Sequence, residues 1–145
     1  MDLQPMLDAW KVDSKIDETN LILELCRTPQ LHATYLNHYV NAKNMMTTAE
    51  RDFLRLGNLK RKYYKGEMTR DELTKLSWDQ YTGLKPSHSE MNSLLEFDVD
   101  MIKKAREVND AKTFVSTTEY ILKQIAQRDY SLKSIIEVTK YLNGG

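Results

Sequence analysis

The chain has 145 residues, of which 41% are hydrophobic and 29% charged, with five glycines, three prolines and one cysteine. This length fits one domain, and no apolar run approaches the ~20 residues that a membrane-spanning helix needs. The single cysteine excludes an intramolecular disulfide, and the N-terminus lacks the basic start and apolar core of a secretory signal. We therefore expect one soluble domain in a reducing cytoplasm.

The formal net charge is zero, but the charged residues are unevenly distributed. Residues 1–28 carry three basic and six acidic side chains, and residues 29–75 carry nine basic and five acidic ones. Residues 76–145 carry nine basic and ten acidic side chains. The middle third is therefore a basic segment between two acidic ones, a pattern that indicates an anionic partner.

Helical periodicity begins near the N-terminus. We predict two short helices over residues 3–13 and 17–27, with Asp17 as the N-cap of the second. Thr28 followed by Pro29 then predicts a new helix start, because a hydroxyl can cap the first turn and proline is tolerated at the first helical position.

From that start, one long helix is predicted over residues 28–65. Its apolar residues recur at spacings of three, four or seven, at Leu31, Tyr35, Tyr39, Ala42, Met46, Ala49, Phe53, Leu56 and Tyr63. Gly57 lies inside this helix, where it costs about 1 kcal/mol relative to alanine, and Gly66 ends it. A helix of about 55 Å cannot bury its apolar stripe alone, so it needs a second long helix or another subunit.

The second half of the sequence is also helical, apart from one loop. A capping box at Thr69 and Glu72 predicts a short helix. Residues 77–88 contain a glycine, a proline and a tryptophan and are predicted to form the loop. A further helical stretch begins at Ser89, and Arg128-Asp129 is predicted to end it.

A last amphipathic helix is predicted to begin at Ser131 and to end at Gly144-Gly145. Its apolar face consists of Leu132, Ile135, Ile136, Thr139 and Leu142. An exposed apolar stripe of this size usually marks an interface, so we predict that this helix holds subunits together. The predicted fold class is all-α: a long amphipathic central helix, shorter helices packed on it, and a C-terminal helix for assembly.

The residue patterns of enzymes and metal sites are missing from the sequence. The three histidines share no ligand spacing with Cys26 or with one another, and Cys26 is predicted to lie in the core. Asp98 and Asp100 lack the downstream glycine and closing glutamate of a calcium loop. With no glycine-rich phosphate loop or nucleophile elbow, we expect no catalysis, no metal and no cofactor.

The most distinctive stretch concentrates cations and tyrosines at the end of the predicted long helix. The candidate binding residues are Arg51, Arg55, Lys60, Arg61, Lys62, Tyr63, Tyr64 and Lys65. On a helix, Arg51, Arg55 and Lys62 fall near one line, at spacings of four and seven, and we expect Lys60 and Lys65 to flank it.

Two interpretations of this stretch remain open from composition. Cations near a helix C-terminus interact favourably with the helix dipole, and lysines solvate an exposed face. Alternatively, the stretch binds single-stranded nucleic acid, since phosphates need a track of lysine and arginine and unstacked bases need flat aromatic faces.

The same stretch resembles the UvsY family, the recombination mediators of tailed bacteriophages. The shared pattern is a basic run in a long helix, two consecutive tyrosines, one variable residue and a glycine, here residues 60–66. Further matching residues, in the right order over most of the chain, are Tyr35-Leu36-Asn37, Ser89-Glu90-Met91, Leu94-Leu95, Asp98, Asp100, Lys103 and Arg128-Asp129-Tyr130-Ser131-Leu132-Lys133.

The resemblance implies a function without catalysis. Members of this family bind single-stranded DNA, assemble as ring-like homo-oligomers and help a RecA-like recombinase (UvsX) displace the phage single-strand-binding protein. We therefore expect a mediator that acts in the cytoplasm of an infected bacterial host. Residues 1–88 would form its DNA-binding part and residues 89–145 its helical oligomerisation part.

Two other classes of function compete with this expectation. A helical adaptor or structural protein would bind another protein and leave the basic segment solvated. A small-molecule enzyme would need a cleft with convergent polar groups, for which the sequence offers no pattern. Salt-sensitive binding to an oligonucleotide would favour the mediator, and no binding at low salt would favour the adaptor.

Overall fold

The computed structural model describes residues 2–144, which form five helices and no strand. The helices are α1 (Gln4–Asp13), α2 (Leu21–Tyr64), α3 (Arg70–Leu76), α4 (His88–Phe97) and α5 (Val99–Leu142). The all-α class and the long central helix are confirmed. Over the same residues, no helix combines the length and apolar character needed to cross a membrane.

The chain divides into two compact units. Unit 1 is built from residues up to Met45 together with those from Asp110 onward, and unit 2 is Met46–Asn109. Both long helices therefore contribute to both units: the first part of α2 and most of α5 lie in unit 1, and the remainder of each lies in unit 2.

The core of unit 1 joins α1, α2 and α5. Its buried residues are Met6, Leu31, Tyr35, Ile121 and Ile125. Trp10 packs edge-on against Tyr35 with ring centroids 5.3 Å apart, and the Tyr35 hydroxyl donates to Asp13 Oδ2 at 2.8 Å. This hydrogen bond satisfies the polar end of an otherwise fully buried tyrosine and fixes α1 against α2.

The predicted helix start at Thr28-Pro29 is wrong, because α2 begins at Leu21 and continues through Pro29. The predicted cap at Asp17 is also displaced: Asn20 Oδ1 accepts the Leu23 amide at 3.2 Å, as an N-cap does. An interior proline removes a backbone hydrogen bond and usually breaks or kinks a helix, yet this turn of α2 stays helical.

Arg128 of α5 is buried against this turn of α2. Its guanidinium donates to the Glu24 carboxylate and, at 3.3 Å each, to the Glu24 carbonyl and the Thr28 hydroxyl. Thr28 is thus an acceptor for Arg128 and not a helix cap. Burial alone would raise the pKa of Glu24, but hydrogen bonds from Arg128 and Arg27 outweigh it and lower the pKa below its ordinary value.

The predicted break at Arg128-Asp129 is also wrong. Arg128 lies inside α5, which runs without interruption to Leu142, so Ser131 caps no helix. Gly144, with φ 75°, follows α5, and Gly145 lies outside the described residues. Cys26, predicted to be core, is exposed on α2.

In unit 2 the short elements agree well with the sequence. Thr69 and Glu72 make the predicted capping box at α3, and Gly66 ends the preceding helix with φ 71°. The loop covers residues 77–87, one residue shorter than predicted, because Ser87 and Glu90 form a second capping box that starts α4. Capping boxes can be predicted from sequence because the residues that form their hydrogen bonds are only three positions apart.

One break in unit 2 was missed. The stretch from Ser89 was predicted as one helix, but α4 ends at Phe97 and α5 begins at Val99. Asp98 between them has an extended backbone, and its Oδ1 accepts the Met101 amide at 3.0 Å, which makes Asp98 the N-cap of α5.

Candidate nucleic-acid interface

Seven of the eight predicted binding residues lie on the last four turns of α2, in unit 2, and the eighth, Lys65, directly follows that helix. Arg51 and Arg55 are exposed and nearly in line along the helix. Arg61 and Lys65 are also exposed, with Arg61 about 120° round the helix axis from Arg55. We call these four residues the outward basic face.

Lys60 does not belong to this face. It lies nine residues after Arg51, which is about two and a half helical turns, so its side chain points to the opposite side of α2. Only 5% of Lys60 is exposed. The prediction that Lys60 flanks the line of arginines is therefore wrong, and helical phase alone could have shown it.

The Lys60 ammonium contacts two carboxylates and two aromatic rings of unit 2, the more distant ring being Tyr63, whose centroid is 5.6 Å away. Its Nζ lies 2.8 Å from Asp100 Oδ2 and 3.1 Å from Asp98 Oδ2, and it sits 4.2 Å from the centroid of the Trp78 ring. Burial alone would lower the pKa of Lys60, but the hydrogen bonds to Asp100 and Asp98 outweigh it and raise the pKa. Lys60 is thus a buried, paired cation in this conformation.

The two tyrosines are held by hydrogen bonds as well. The Tyr64 hydroxyl donates to Asp98 Oδ2 at 2.6 Å, and the Tyr63 hydroxyl donates to the Asp79 carbonyl at 2.7 Å. Burial, together with the bond to Asp98, raises the pKa of Tyr64. Both rings are only partly buried.

These rings form an aromatic cluster with two residues of the loop. The cluster consists of Tyr63, Tyr64, Trp78 and Tyr81, with ring centroids 5.0–5.8 Å apart in edge-on or tilted contacts. Such contacts stabilise the loop against α2 by about 0.5–1.5 kcal/mol per pair beyond area burial. The predicted role of the tyrosines as base-stacking platforms therefore competes with a packing role.

Asp98 is the residue that sequence reasoning missed. It pairs with Lys60, accepts from Tyr64 and caps α5, so two elements of the unit, α2 and α5, meet at one carboxylate. Burial alone would raise the pKa of Asp98, but hydrogen bonds from Tyr64, the Met101 amide and Lys60 outweigh it and lower the pKa. An Asx residue before a helical period is a cap signal, and it was the one clue available.

Lys62 has an intermediate position. Its Nζ lies 2.8 Å from Glu72 Oε2, and both side chains are partly exposed. Glu72 also completes the capping box of α3, so the pair ties the end of α2 to that helix. An ion pair this exposed contributes about 0–1 kcal/mol, so a phosphate can compete with Glu72 for Lys62.

The predicted oligomerisation residues lie along one face at the end of α5, in unit 1. Leu132 is fully buried within the chain, and Ile135 and Ile136 are partly buried. Thr139 and Leu142 are exposed, and so are their neighbours Val138, Tyr141 and Lys140. Leu132 thus belongs to the core of its own subunit, whereas the last two turns of α5 leave apolar side chains in solvent.

A protein-family model described as "Recombination, repair and ssDNA binding protein UvsY" matches residues 9–145. The chain belongs to the UvsY family. Among curated proteins, no significant match to the sequence is found.

Two crystal structures of the bacteriophage T4 recombination mediator protein UvsY have the same fold. One has a TM-score of 0.83 at 23% identity and aligns over 100% of this chain and 99% of its own. The other has a TM-score of 0.80 at 22% identity, over 97% of this chain and 98% of its own. At this identity the likeness establishes the fold, and the roles of individual side chains rest on the geometry above.

Proposed function

We propose that this UvsY-family chain is a single-stranded-DNA-binding recombination mediator. It would help load a RecA-like recombinase of the UvsX type onto DNA covered by the phage single-strand-binding protein, in the cytoplasm of the infected host. The observation that supports this most directly is the outward basic face in a chain of a recombination, repair and single-stranded-DNA-binding family.

The outward basic face suits a phosphate backbone. Arg51 and Arg55 have guanidiniums in solvent, and among the described residues no ion pair neutralises them. Arg61 forms no ion pair with any of residues 2–144, and its Nη1 donates a 3.3 Å hydrogen bond to Asn58 Oδ1 within α2. Arginine presents a planar fork of donors that matches phosphate geometry, so three exposed arginines on one helix are suited to track a strand. Lys62 can add a further phosphate contact if its ammonium leaves the ion pair with Glu72 and binds a phosphate instead.

Lys60 and Tyr64 take a different role in this proposal. Both are bonded to Asp98 and keep the end of α2 in place, so we assign them to positioning the face and not to direct contact with phosphates. This narrows the predicted set of contacts to Arg51, Arg55 and Arg61, with Lys62 and Lys65 at its edge.

Assembly would strengthen a binding surface that is modest in each subunit. The exposed apolar side chains of the last turns of α5, Val138, Tyr141 and Leu142, are suited to contact another subunit. A ring-like homo-oligomer would present several basic faces to one strand, and avidity would then multiply the affinity of each. Light scattering with and without single-stranded DNA tests this part of the proposal.

Salt-dependent binding tests the DNA interaction. Replacing Arg51, Arg55 and Arg61 together by glutamine should weaken binding to a single-stranded oligonucleotide. Each lost phosphate contact should reduce the log–log salt slope by about 0.7, so the slope should fall by about 2 per subunit. Helix content should remain, since all three side chains are exposed and glutamine is a good helix former.

The matched control removes the same charge elsewhere. Lys11, Lys15 and Lys112 are exposed cations of unit 1, and their replacement by glutamine changes the net charge equally. An equal loss of affinity in this control would mean that net charge and not the outward basic face governs binding. No binding by the unmodified protein at low salt would favour the helical adaptor.

Recombinase loading needs its own experiment. DNA strand exchange by a RecA-like recombinase should be blocked when the strand is first covered by single-strand-binding protein, and this chain should relieve the block. The variant with glutamine at positions 51, 55 and 61 should relieve it poorly. If the chain bound DNA tightly but did not relieve the block to strand exchange, it would be a DNA-binding protein and not a recombination mediator.

A further inference from the structure

Unit 2 contains an open groove of about 400 Å³ beside the outward basic face. Its lining includes Leu54, Gly57 and Arg61 of α2, Asn92 and Glu96 of α4, and Ile102 of α5. The volume lies within the range of clefts that hold small organic ligands. The mechanism proposed above leaves this groove unused.

The walls of the groove are apolar and open to solvent. Leu54 is 67% exposed and Ile102 is 45% exposed. Gly57 leaves the floor without a side chain, and Arg61 Nη1 passes close above it, 3.7 Å from the place a Cβ would occupy. Apolar walls with a guanidinium at the edge can contact a flat ring on its faces and an anion beside it.

The groove is continuous with the outward basic face. Arg61 belongs to both, and Leu54 lies on α2 between Arg51 and Arg55 in sequence and on the adjoining side of the helix. On α5, exposed Arg106 follows Ile102 by one turn. A strand held by its phosphates along these arginines would place its bases next to the groove.

We propose that this groove receives an unstacked nucleobase of the bound single strand. The inference rests on the proposed function and deepens it. A nucleotide combines a flat apolar ring with an anion, as the groove combines apolar walls with Arg61. Asn92 and Glu96 also line the groove and supply hydrogen-bonding groups there. Because every base has apolar faces, such a groove would accept any sequence.

A second groove of unit 2 fits a nucleotide less well. It is lined by apolar residues that include Leu84 and Phe97, and its charged lining residues are Glu90 and Asp98, both acidic. None of its lining residues is a cation, so this groove lacks the guanidinium that Arg61 gives the first groove. Leu84, 91% exposed, therefore provides a matched control for Leu54.

The test compares two oligonucleotides of equal length, oligothymidylate and a strand of abasic tetrahydrofuran residues. They carry the same number of phosphates, so their salt slopes should be equal. If a base occupies the groove, the unmodified protein should bind the abasic strand about 5- to 150-fold more weakly, the range expected for one stacked base. Equal affinity for the two strands would overturn the inference and leave the proposed function standing.

Variants then locate the effect. Leu54→Ala should reduce affinity for oligothymidylate toward that for the abasic strand and leave the abasic affinity unchanged. Leu84→Ala should change neither. A base-dependent affinity that survives Leu54→Ala, or falls equally with Leu84→Ala, would overturn the assignment to this groove. Binding to neither strand would overturn the proposed function as well.

Discussion

The two sides of the last turns of α2 differ in what their cations do. On the outward basic face, Arg51 and Arg55 meet solvent, whereas on the opposite side Lys60 is buried between two carboxylates and a tryptophan ring. A basic run that looks uniform in sequence is therefore divided between solvent-exposed arginines and a buried, ion-paired lysine. The division follows helical phase, since residues half a turn apart face different surroundings.

The largest effect is expected on the inward side. Lys60→Met leaves the Asp98 carboxylate buried without its cation, and breaking a buried pair costs about 3–5 kcal/mol. We expect about 3 kcal/mol, because Tyr64 and the Met101 amide still donate to Asp98. Urea unfolding measures this loss.

The control for Lys60→Met lies on the outward side. Arg55→Met should change the free energy of unfolding by no more than about 0.5 kcal/mol, as exposed substitutions usually do. Adding Asp98→Asn to Lys60→Met should recover part of the loss, because asparagine is neutral and still caps α5. If Lys60→Met and Arg55→Met lowered the free energy of unfolding equally, the buried side of α2 would not differ from its outward basic face in stability.

A smaller effect is expected from Tyr64→Phe. The change removes one hydrogen bond to a charged acceptor, which contributes about 1.5–3 kcal/mol, and keeps the ring in the aromatic cluster. DNA affinity should be retained if Tyr64 positions α2 and does not stack on bases. Unchanged stability together with weaker DNA binding would instead assign Tyr64 to the interface.

Gly57→Ala should stabilise the protein by about 1 kcal/mol. Alanine is the better helix former, and the added methyl group meets Met101 Cε at 3.6 Å and Arg61 Nη1 at 3.7 Å, which are ordinary contacts. Thermal unfolding of the variant measures the gain. A loss of stability would mean that the added methyl group does not fit beside Met101 and Arg61.

The smallest effect is expected from changing the pH around neutrality. The free energy of unfolding should vary little there, because the buried Glu24, Asp98 and Lys60 titrate far from pH 7. The pKa values of Asp98 and Glu24 are lowered in the folded state, so the stability they contribute is present above their ordinary pKa of about 4 and is lost as the pH falls through the folded values. The pKa of Lys60 is raised, so its contribution is present below about pH 10 and is lost as the pH rises through the folded value. Unfolding measured from acid to alkaline pH should show both losses, and Asp98→Asn should reduce the acid one.

Local features of this protein could be predicted from the sequence because their causes lie within one or two turns. The capping box at Thr69, the end of α2 at Gly66 and the loop before α4 all depend on neighbouring residues. The all-α class follows from apolar spacing, and the family resemblance follows from ordered short patterns, both of which are properties of the linear sequence.

Other features depended on residues distant in sequence. The turn of α2 that contains Pro29 is bonded by Arg128, about a hundred positions later, and α5 continues through that arginine where a break was predicted. Lys60 is buried because Asp98 and Trp78 reach it from other elements. Helix propensity and charge pattern describe each residue alone, whereas burial of a cation is decided by the partner that offsets its desolvation, and only the tertiary structure brings that partner into place.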